Sequence, residues 1–314
     1  MKAALATTCY REVEAIDAFI DAVLAQTRQP DEIVIVDAGS DDGTIERIEA
    51  RIRDGAPIRL IVQPGANRSV GRNRAVADSA ADLIALTDVG ATPRPDWFER
   101  ITAPFERHEG VDVVAGYYTA DPQTLWETAV AAATVPLVEE VSPDSFLPSA
   151  RSVAFRRSAW ENVGGYPEWA SHNEDTPFDL ALKASGAHFV FEPQAVVEWR
   201  PQARLRKLFV QFCRYARGDA QSRLWFRHYT KAYGLLTLKL ALLAIGVFWW
   251  PLWLGIPVLG SLYWTRHAMR ARRRTGRTSA ALLAPAANVI VDCAHVIGYT
   301  RGLFERRQHG SGDG

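Results

Sequence analysis

The sequence is poor in cysteine. Its 314 residues contain Cys9, Cys213 and Cys293, far apart and in no C-x-x-C spacing. That excludes a disulfide framework and a cysteine-built zinc site, and three buried free thiols in a reducing compartment are expected. An excess of one charge is also missing. Lys+Arg and Asp+Glu both total 36, so no overall basic field points to nucleic acid. The opening Met1-Lys2-Ala3-Ala4-Leu5-Ala6 is too short in apolar length for a signal peptide, so the chain is expected to begin in the cytoplasm. Internal repeats and low-complexity linkers are absent. The first apolar run continues into Thr7-Thr8-Cys9-Tyr10-Arg11-Glu12 with no glycine. A nucleotidyltransferase would carry a glycine-rich phosphate loop there, which counts against that alternative.

What is present alternates. Ala3–Ala6, Ile33–Val36, Leu60–Val62 and Leu83–Leu86 read as short strands. Between them lie helical patterns such as Ile16, Phe19, Ile20, Val23 and Leu24, then Ile45, Ile48 and Ile52, then Val70–Ala80. Strand–helix alternation of this kind predicts a doubly wound α/β sheet, which binds ligands where the carboxyl ends of its strands converge. Val111–Tyr118, Ser152–Phe155, His188–Phe191 and Val196–Trp199 read as further strands, Asp175–Ala184 as a helix, and Gln202–Tyr229 as a long basic helical stretch.

The character changes near residue 235. Leu235–Tyr263 is apolar, with Trp249, Trp250 and Trp253 in its middle and Pro251, Gly255 and Pro257 as breakers. As one helix it would run about 44 Å, longer than a hydrocarbon core of about 30 Å and short of two crossings. Arg214, Arg217, Arg223, Arg227 and Lys231 precede it; Arg266, Arg270, Arg272, Arg273, Arg274 and Arg277 follow it. Basic residues at both ends predict a hairpin over 235–263 that enters the membrane and returns. Leu282, Leu283, Ala286, Val289, Ile290, Cys293, Val296 and Ile297 fall on one side of a helical wheel, Asn288, Asp292 and His295 on the other. An amphipathic helix over about 280–300 is expected, in the interface or packed on the hairpin. The organisation expected is a catalytic domain over 1–230, divided near 110 into nucleotide and acceptor halves, followed by a membrane-associating region over 231–314.

Carboxylates stand at the predicted strand ends. Asp37-Ala38-Gly39-Ser40-Asp41-Asp42-Gly43-Thr44 follows one strand and Thr87-Asp88-Val89-Gly90 another. Gly71-Arg72-Asn73 opens a helix between them, where an arginine can neutralise phosphate. Gly164-Gly165-Tyr166-Pro167 leads to Asn173-Glu174-Asp175 at a helix start. Each has an ordinary alternative: Asp41 or Asp42 as a helix cap, Arg72 as a surface ion pair, Glu174-Asp175 as favourable charges on a helix dipole.

Taken in order, V-D-x-G-S-x-D-G-T, G-R-N, T-D at a strand end, G-G-Y-P and E-D resemble the family-2 glycosyltransferases of GT-A fold. Gln211-Phe212-Cys213-Arg214-Tyr215 is similar to that family's Q-x-x-R-W element, with Tyr in place of Trp. The resemblance covers residues 3 to 225. It implies an inverting transfer of a sugar from a nucleotide-diphosphate donor to an acceptor hydroxyl. It assigns Thr8, Tyr10, Glu12, Asp37, Arg72 and Asp88 to the nucleotide sugar, Asp88 to a divalent cation (Mg²⁺ or Mn²⁺), and Asp175 to the role of base with Glu174 beside it. Gln211, Arg214 and Tyr215 would border the diphosphate and acceptor. The chain departs from the pattern at Gly90, where the D-x-D motif normally has its metal-ligating carboxylate, and His172 is a weaker candidate ligand. The partners implied are a nucleotide-sugar donor, a lipid-linked or envelope-glycan acceptor and membrane lipids, at the cytoplasmic face of the cytoplasmic membrane. With so few membrane segments, non-processive transfer is expected rather than synthesis through a channel. The alternative from another class is a membrane-attached nucleotide-sugar-binding protein that has lost turnover.

Overall fold

The structure, a computed structural model, describes residues 1–170, 172–249 and 253–309. In chain order the elements are β1 (Ala3–Cys9), α1 (Ile16–Leu24), β2 (Glu32–Asp37), α2 (Thr44–Arg53), β3 (Ile58–Val62), α3 (Arg68–Asp78), β4 (Leu83–Leu86), β5 (Ala91–Pro93), α4 (Trp97–Thr102), α5 (Pro104–Arg107), β6 (Val113–Ala120), α6 (Leu125–Thr134), β7 (Val153–Arg156), α7 (Arg157–Asn162), α8 (Asp175–Ala184), β8 (Phe189–Trp199), α9 (Leu205–Gln221), α10 (Phe226–Gly246), α11 (Gly255–Thr275) and α12 (Thr278–His309). They form two compact units. One comprises Met1–Asp121 and Leu137–Arg200, the other Pro122–Pro136 and Pro201–Gly314.

The first unit is built on an eight-stranded sheet in the order β3-β2-β1-β4-β7-β6-β8-β5. Strands β1 to β4 pair in parallel, as their unbroken apolar runs require. Ala3, Leu5, Ile33 and Ile35 enter the core on one face, and Ala4, Ala6, Val34 and Val36 enter the core on the other. Beyond β4 the sheet is mixed: β7 runs antiparallel to β4 and to β6, while β6 and β8 run parallel. The two short runs expected at 188–191 and 196–199 are one strand, β8, irregular where it pairs with β6 between Ala115 and Tyr117. Strand β5 and helices α4 and α5, of three, six and four residues, carry too short a pattern to be read from the sequence.

The second unit is helical. The stretch expected as one helix over 202–229 is two, because Arg223 and Trp225 take left-handed backbone at φ 59° and 56° between α9 and α10. Helix α9, carrying Gln211, Arg214 and Tyr215, belongs to this unit. Helix α12 is longer than expected, and the face buried is not the large-residue face. Ala281, Ala284, Ala287, Val291 and Ala294 are buried, whereas Leu282, Val289 and Ile297 are exposed. Close approach is the reason. A Cβ on Gly298 would come within 2.2 Å of the Cys213 carbonyl oxygen, and one on Gly302 within 2.5 Å of that of Arg217. Cys293 is consequently exposed, which corrects the expectation of three buried thiols; Cys9 and Cys213 are buried.

Helices α10 and α11 flank the predicted hairpin break, but Trp250, Pro251 and Leu252 lie outside the described residues. Among the described residues, one helix is long and apolar enough to cross a membrane, α12 over Thr278–Glu305.

Candidate functional site

The parallel strands deliver their carboxyl ends to one edge of the first unit, and the chemistry-bearing residues collect there. Asp37 ends β2 and is fully buried. Its Oδ1 accepts from the Gly39 and Ser40 amides at 2.8 and 2.6 Å, and its Oδ2 from the Ser40 hydroxyl at 2.7 Å and the Cys9 thiol at 3.3 Å. Asp37 therefore holds the shape of the turn that follows it. That turn is tied to the loop after β1. The Arg11 amide donates to the Ser40 hydroxyl, and the Arg11 guanidinium pairs with Asp41 at 2.7 Å while lying over the Tyr10 ring. Asp42 accepts from Thr44 and Val13, but neither it nor Asp41 is the cap expected: the N-cap of α2 is Gly43, with no side-chain cap hydrogen bond. Tyr10 is half exposed at this edge.

Helix α3 packs against β1 with almost no space between. A Cβ on Gly71 would meet the Thr8 hydroxyl at 2.2 Å, and that hydroxyl already donates to the Val36 carbonyl. Only glycine allows the contact. The next residue, Arg72, is thereby brought to the centre of the site. It is buried, it pairs with Asp88 at 2.9 Å and with Glu174, and its guanidinium lies over the Tyr166 ring. Burial alone lowers an arginine's pKa; Glu174 and Asp88 outweigh it and hold Arg72 charged.

The same helix straps down the segment leading to Glu174-Asp175. Asn73 accepts from the Tyr166 amide at 2.8 Å and donates to the Tyr166 carbonyl at 2.9 Å. Gly165, at φ +80°, would press a Cβ to within 2.7 Å of Asn73 Oδ1. Ser69 and Asn67 donate to the carbonyls of Ala170 and Glu168. The Gly71-Arg72-Asn73 and Gly164-Gly165-Tyr166-Pro167 motifs are thus one hydrogen-bonded unit.

Two acids meet at the start of α8 with different surroundings. Glu174 is buried against Arg72; its Oε2 has no hydrogen-bond partner among the described residues. Asp175 is half-buried and accepts from the Thr176 amide at 2.9 Å. Burial, then the charge of Glu174, raise its pKa against the opposing pull of Arg72 and Arg151. Asp88 lies the other way. Burial pushes it up, but Arg72, Arg151 and Arg68 hold it below the usual carboxylate range. In the loop after β1, burial and then Asp88 raise Glu12.

Two cations in this list, Arg68 and Arg151, belong to no motif read from the sequence. Arg68 stands in a stretch with three arginines, and Arg151 in Ser149-Ala150-Arg151-Ser152, which has no recognisable spacing. The second unit holds the remaining candidates. Gln211 donates to the Tyr215 hydroxyl at 2.9 Å, its Oε1 is buried and unpaired among the described residues, and Arg214 is exposed.

A metal has limited purchase. Gly90 is exposed and offers no ligand, one Asp88 oxygen is taken by Arg72, and no group of three or more His, Cys, Asp or Glu among the described residues could enclose an ion. The remaining Asp88 oxygen fits a hard cation whose other ligands are waters and substrate phosphates.

The structure thus links a strand-end carboxylate, Asp88, through the buried Arg72 to the acidic start of α8, a link that was not expected from the sequence, where Arg72 stood as a phosphate-neutralising residue or a surface ion pair. The model of the glycosyl transferase family group 2 matches residues 83–269, more than half of the chain, and that of glycosyl transferase family 2 matches residues 5–156. The chain is a family-2 glycosyltransferase. As a member of that family it acts with a nucleotide-sugar donor. It is 28% identical over 247 residues to the succinoglycan biosynthesis protein ExoA of Rhizobium meliloti, covering 76% of this chain and 75% of that one. It is 27% identical over 220 residues to the pre-mycofactocin glycosyltransferase of Mycobacterium tuberculosis, covering 65% of this chain and 45% of the longer relative. A mannosyltransferase from Pyrobaculum calidifontis, solved with GDP-Man and Mn²⁺, shares its fold with a TM-score of 0.64 at 18% identity, over 92% of this chain and 87% of that one. The fold of this glycosyltransferase is GT-A.

Proposed function

We propose that this glycosyltransferase transfers one sugar at a time, with inversion, from a nucleoside-diphosphate donor to a lipid-linked or envelope-glycan hydroxyl at the cytoplasmic face of a membrane. The observation that carries the reading is Arg72, which ties the Asp88 turn and the Glu174-Asp175 helix start into one site. Donor and base are then held on a common frame, as in-line displacement needs.

In this reading Thr8, Tyr10, Glu12 and the turn shaped by Asp37 receive the nucleoside. Asp175 takes the proton of the acceptor hydroxyl, whose oxygen attacks the anomeric carbon as the bond to the diphosphate breaks and the nucleoside diphosphate leaves. A covalent sugar–enzyme intermediate is not needed. Glu174 anchors Arg72 and raises the basicity of Asp175. Asp88 would hold Mg²⁺ or Mn²⁺ together with the donor, and that ion supplies Lewis-acid neutralisation of the leaving diphosphate. The Mn²⁺ bound by the Pyrobaculum enzyme supports this choice. Gln211, Arg214 and Tyr215 are proposed to border acceptor and diphosphate.

Succinoglycan assembly, named for the Rhizobium relative, supports an envelope-glycan product. Membrane attachment is supported by the exposed Phe248, Trp249, Trp253 and Leu254 near the ends of α10 and α11, and by the arginines of α11. The catalytic unit is proposed to occupy 1–230 in sequence, with 231–314 as the membrane region.

A thermal-shift screen of nucleotide sugars with and without Mg²⁺ or Mn²⁺, followed by a transfer assay on membrane glycolipid extracts, tests the reading. A donor that stabilises the protein and is consumed only with acceptor supports it. Donor binding with neither transfer nor hydrolysis would make the protein a binding module instead.

A further inference from the structure

Arg151 is held in place with unusual economy. Its neighbour Ser152 donates to the Ala195 carbonyl at 2.9 Å, accepts from the Trp97 indole at 2.9 Å, and accepts the Gly116 amide on its own carbonyl at 2.9 Å. Gly116 closes the packing: a Cβ there would lie 2.0 Å from the Ser152 hydroxyl. The backbone at 151 is therefore fixed from three sides. The side chain is fixed as well. Its guanidinium lies 5.2 Å from the Tyr118 ring centroid and 5.0 Å from that of Trp199, and it donates to the Ser149 hydroxyl at 3.0 Å.

Register brings this residue to the reacting edge. Strands β4 and β7 are antiparallel with Leu86 opposite Val153. Strand β4 ends at Leu86 and β7 begins at Val153, so Asp88 and Arg151 each lie two residues beyond the same end of that pair. Arg151 also acts electrostatically on both Asp88 and Asp175. An arginine stacked on aromatic rings keeps a preorganised fork of N–H donors, the geometry that matches phosphate oxygens.

We propose that Arg151 is a preorganised phosphate-binding residue that receives the β-phosphate of the nucleotide-sugar donor and stabilises the diphosphate as it leaves. It supplies charge neutralisation where Gly90 leaves no second carboxylate for a cation. The proposal rests on the donor reading above and adds to it a residue outside every motif.

The test compares UDP with UMP, and GDP with GMP, by calorimetry on the full-length protein, with and without Mg²⁺. Arg151→Gln should keep monophosphate affinity and lose about tenfold to a hundredfold in diphosphate affinity, the loss expected for a charged hydrogen-bond pair. Arg151→Lys should recover part of it, and folded Trp199→Leu, which removes one face of the platform, should fall between. The acid limb of transfer should also move to higher pH in Arg151→Gln, because a positive charge beside Asp175 is lost. An unchanged preference for diphosphate over monophosphate overturns the proposal, as does an equal loss for both ligands, which marks a structural role. Normal diphosphate binding with weakened polyprenyl-phosphate binding reassigns the residue to the acceptor and overturns it too. If the wild type binds no nucleoside diphosphate, with ADP, CDP and dTDP tested beside UDP and GDP, the donor reading itself fails, an outcome distinct from any effect of the variant.

Discussion

Glu174 is tied to Arg72, whereas Asp175 is half-buried beside a second carboxylate. In the proposed reaction the first holds a partner and the second takes the proton. Asp175→Asn should lower transfer by about 10²–10⁴-fold and leave donor affinity near wild type. If Asp175→Asn turns over normally and Glu174→Gln does not, the base is Glu174. Because Glu174 raises Asp175, transfer should gain activity with rising pH through a pKa above the ordinary aspartate value. In Glu174→Gln the residual activity should have its acid limb at lower pH, since the neighbouring negative charge is gone; a pH–rate profile reads this directly. Asp88→Ala should weaken donor binding and raise the Mg²⁺ or Mn²⁺ concentration needed. Full activity of wild type and Asp88→Ala in excess chelator would remove the cation from the reaction.

At the scale of elements, α3 is the piece that makes one site from distant motifs. Gly71→Ala should displace its first turns from β1, at a cost of about 1–3 kcal/mol, and should weaken donor binding by moving Arg72. A melting temperature and a donor affinity both equal to wild type would show the contact to be loose. Much of this edge was legible beforehand. The unbroken apolar runs gave β1 to β4, and Asp175–Ala184 is a helix with the bounds expected of it, although Glu174 at its N-cap makes no side-chain cap hydrogen bond to it. Arg151 was not legible, because its place depends on strand register and on rings more than thirty residues away on either side. Nor was the buried face of α12, since a wheel weighted by hydrophobicity favours leucine and valine over the alanines that close packing selects. The joint at Arg223–Trp225 was hidden for a related reason: two residues in left-handed backbone leave no composition signal.

For the whole molecule, the proposed membrane attachment rests on the second unit. Helices α10 and α11 expose Leu240, Leu243, Ile245 and Val247 on one side of the break and Val258, Leu262 and Trp264 on the other. Each apolar portion is shorter than a crossing, which favours a hairpin that returns. Helix α12 is long enough to cross but has a buried alanine face, which favours a helix kept within its unit. Single cysteines at Thr230, Ser279 and Arg301, in a background lacking Cys9, Cys213 and Cys293, should all resist an impermeant thiol reagent on intact cells and react once the cells are opened. Labelling at Ser279 and Arg301 together would mean that the 235–263 segment crosses once; labelling at Arg301 alone would mean that α12 does.

The exposed thiol on α12 has a practical side. Burial and the Asp37 carboxylate push the Cys9 thiol pKa upward, Cys213 is buried, and Cys293 stands on the outward face between Val289 and Ile297. A polarity-sensitive fluorophore offered to the unaltered protein should therefore attach at Cys293 alone. Its emission should shift to the blue when liposomes are added if that face meets lipid, and stay put if it faces water, so the native sequence carries its own gauge of the surroundings of α12.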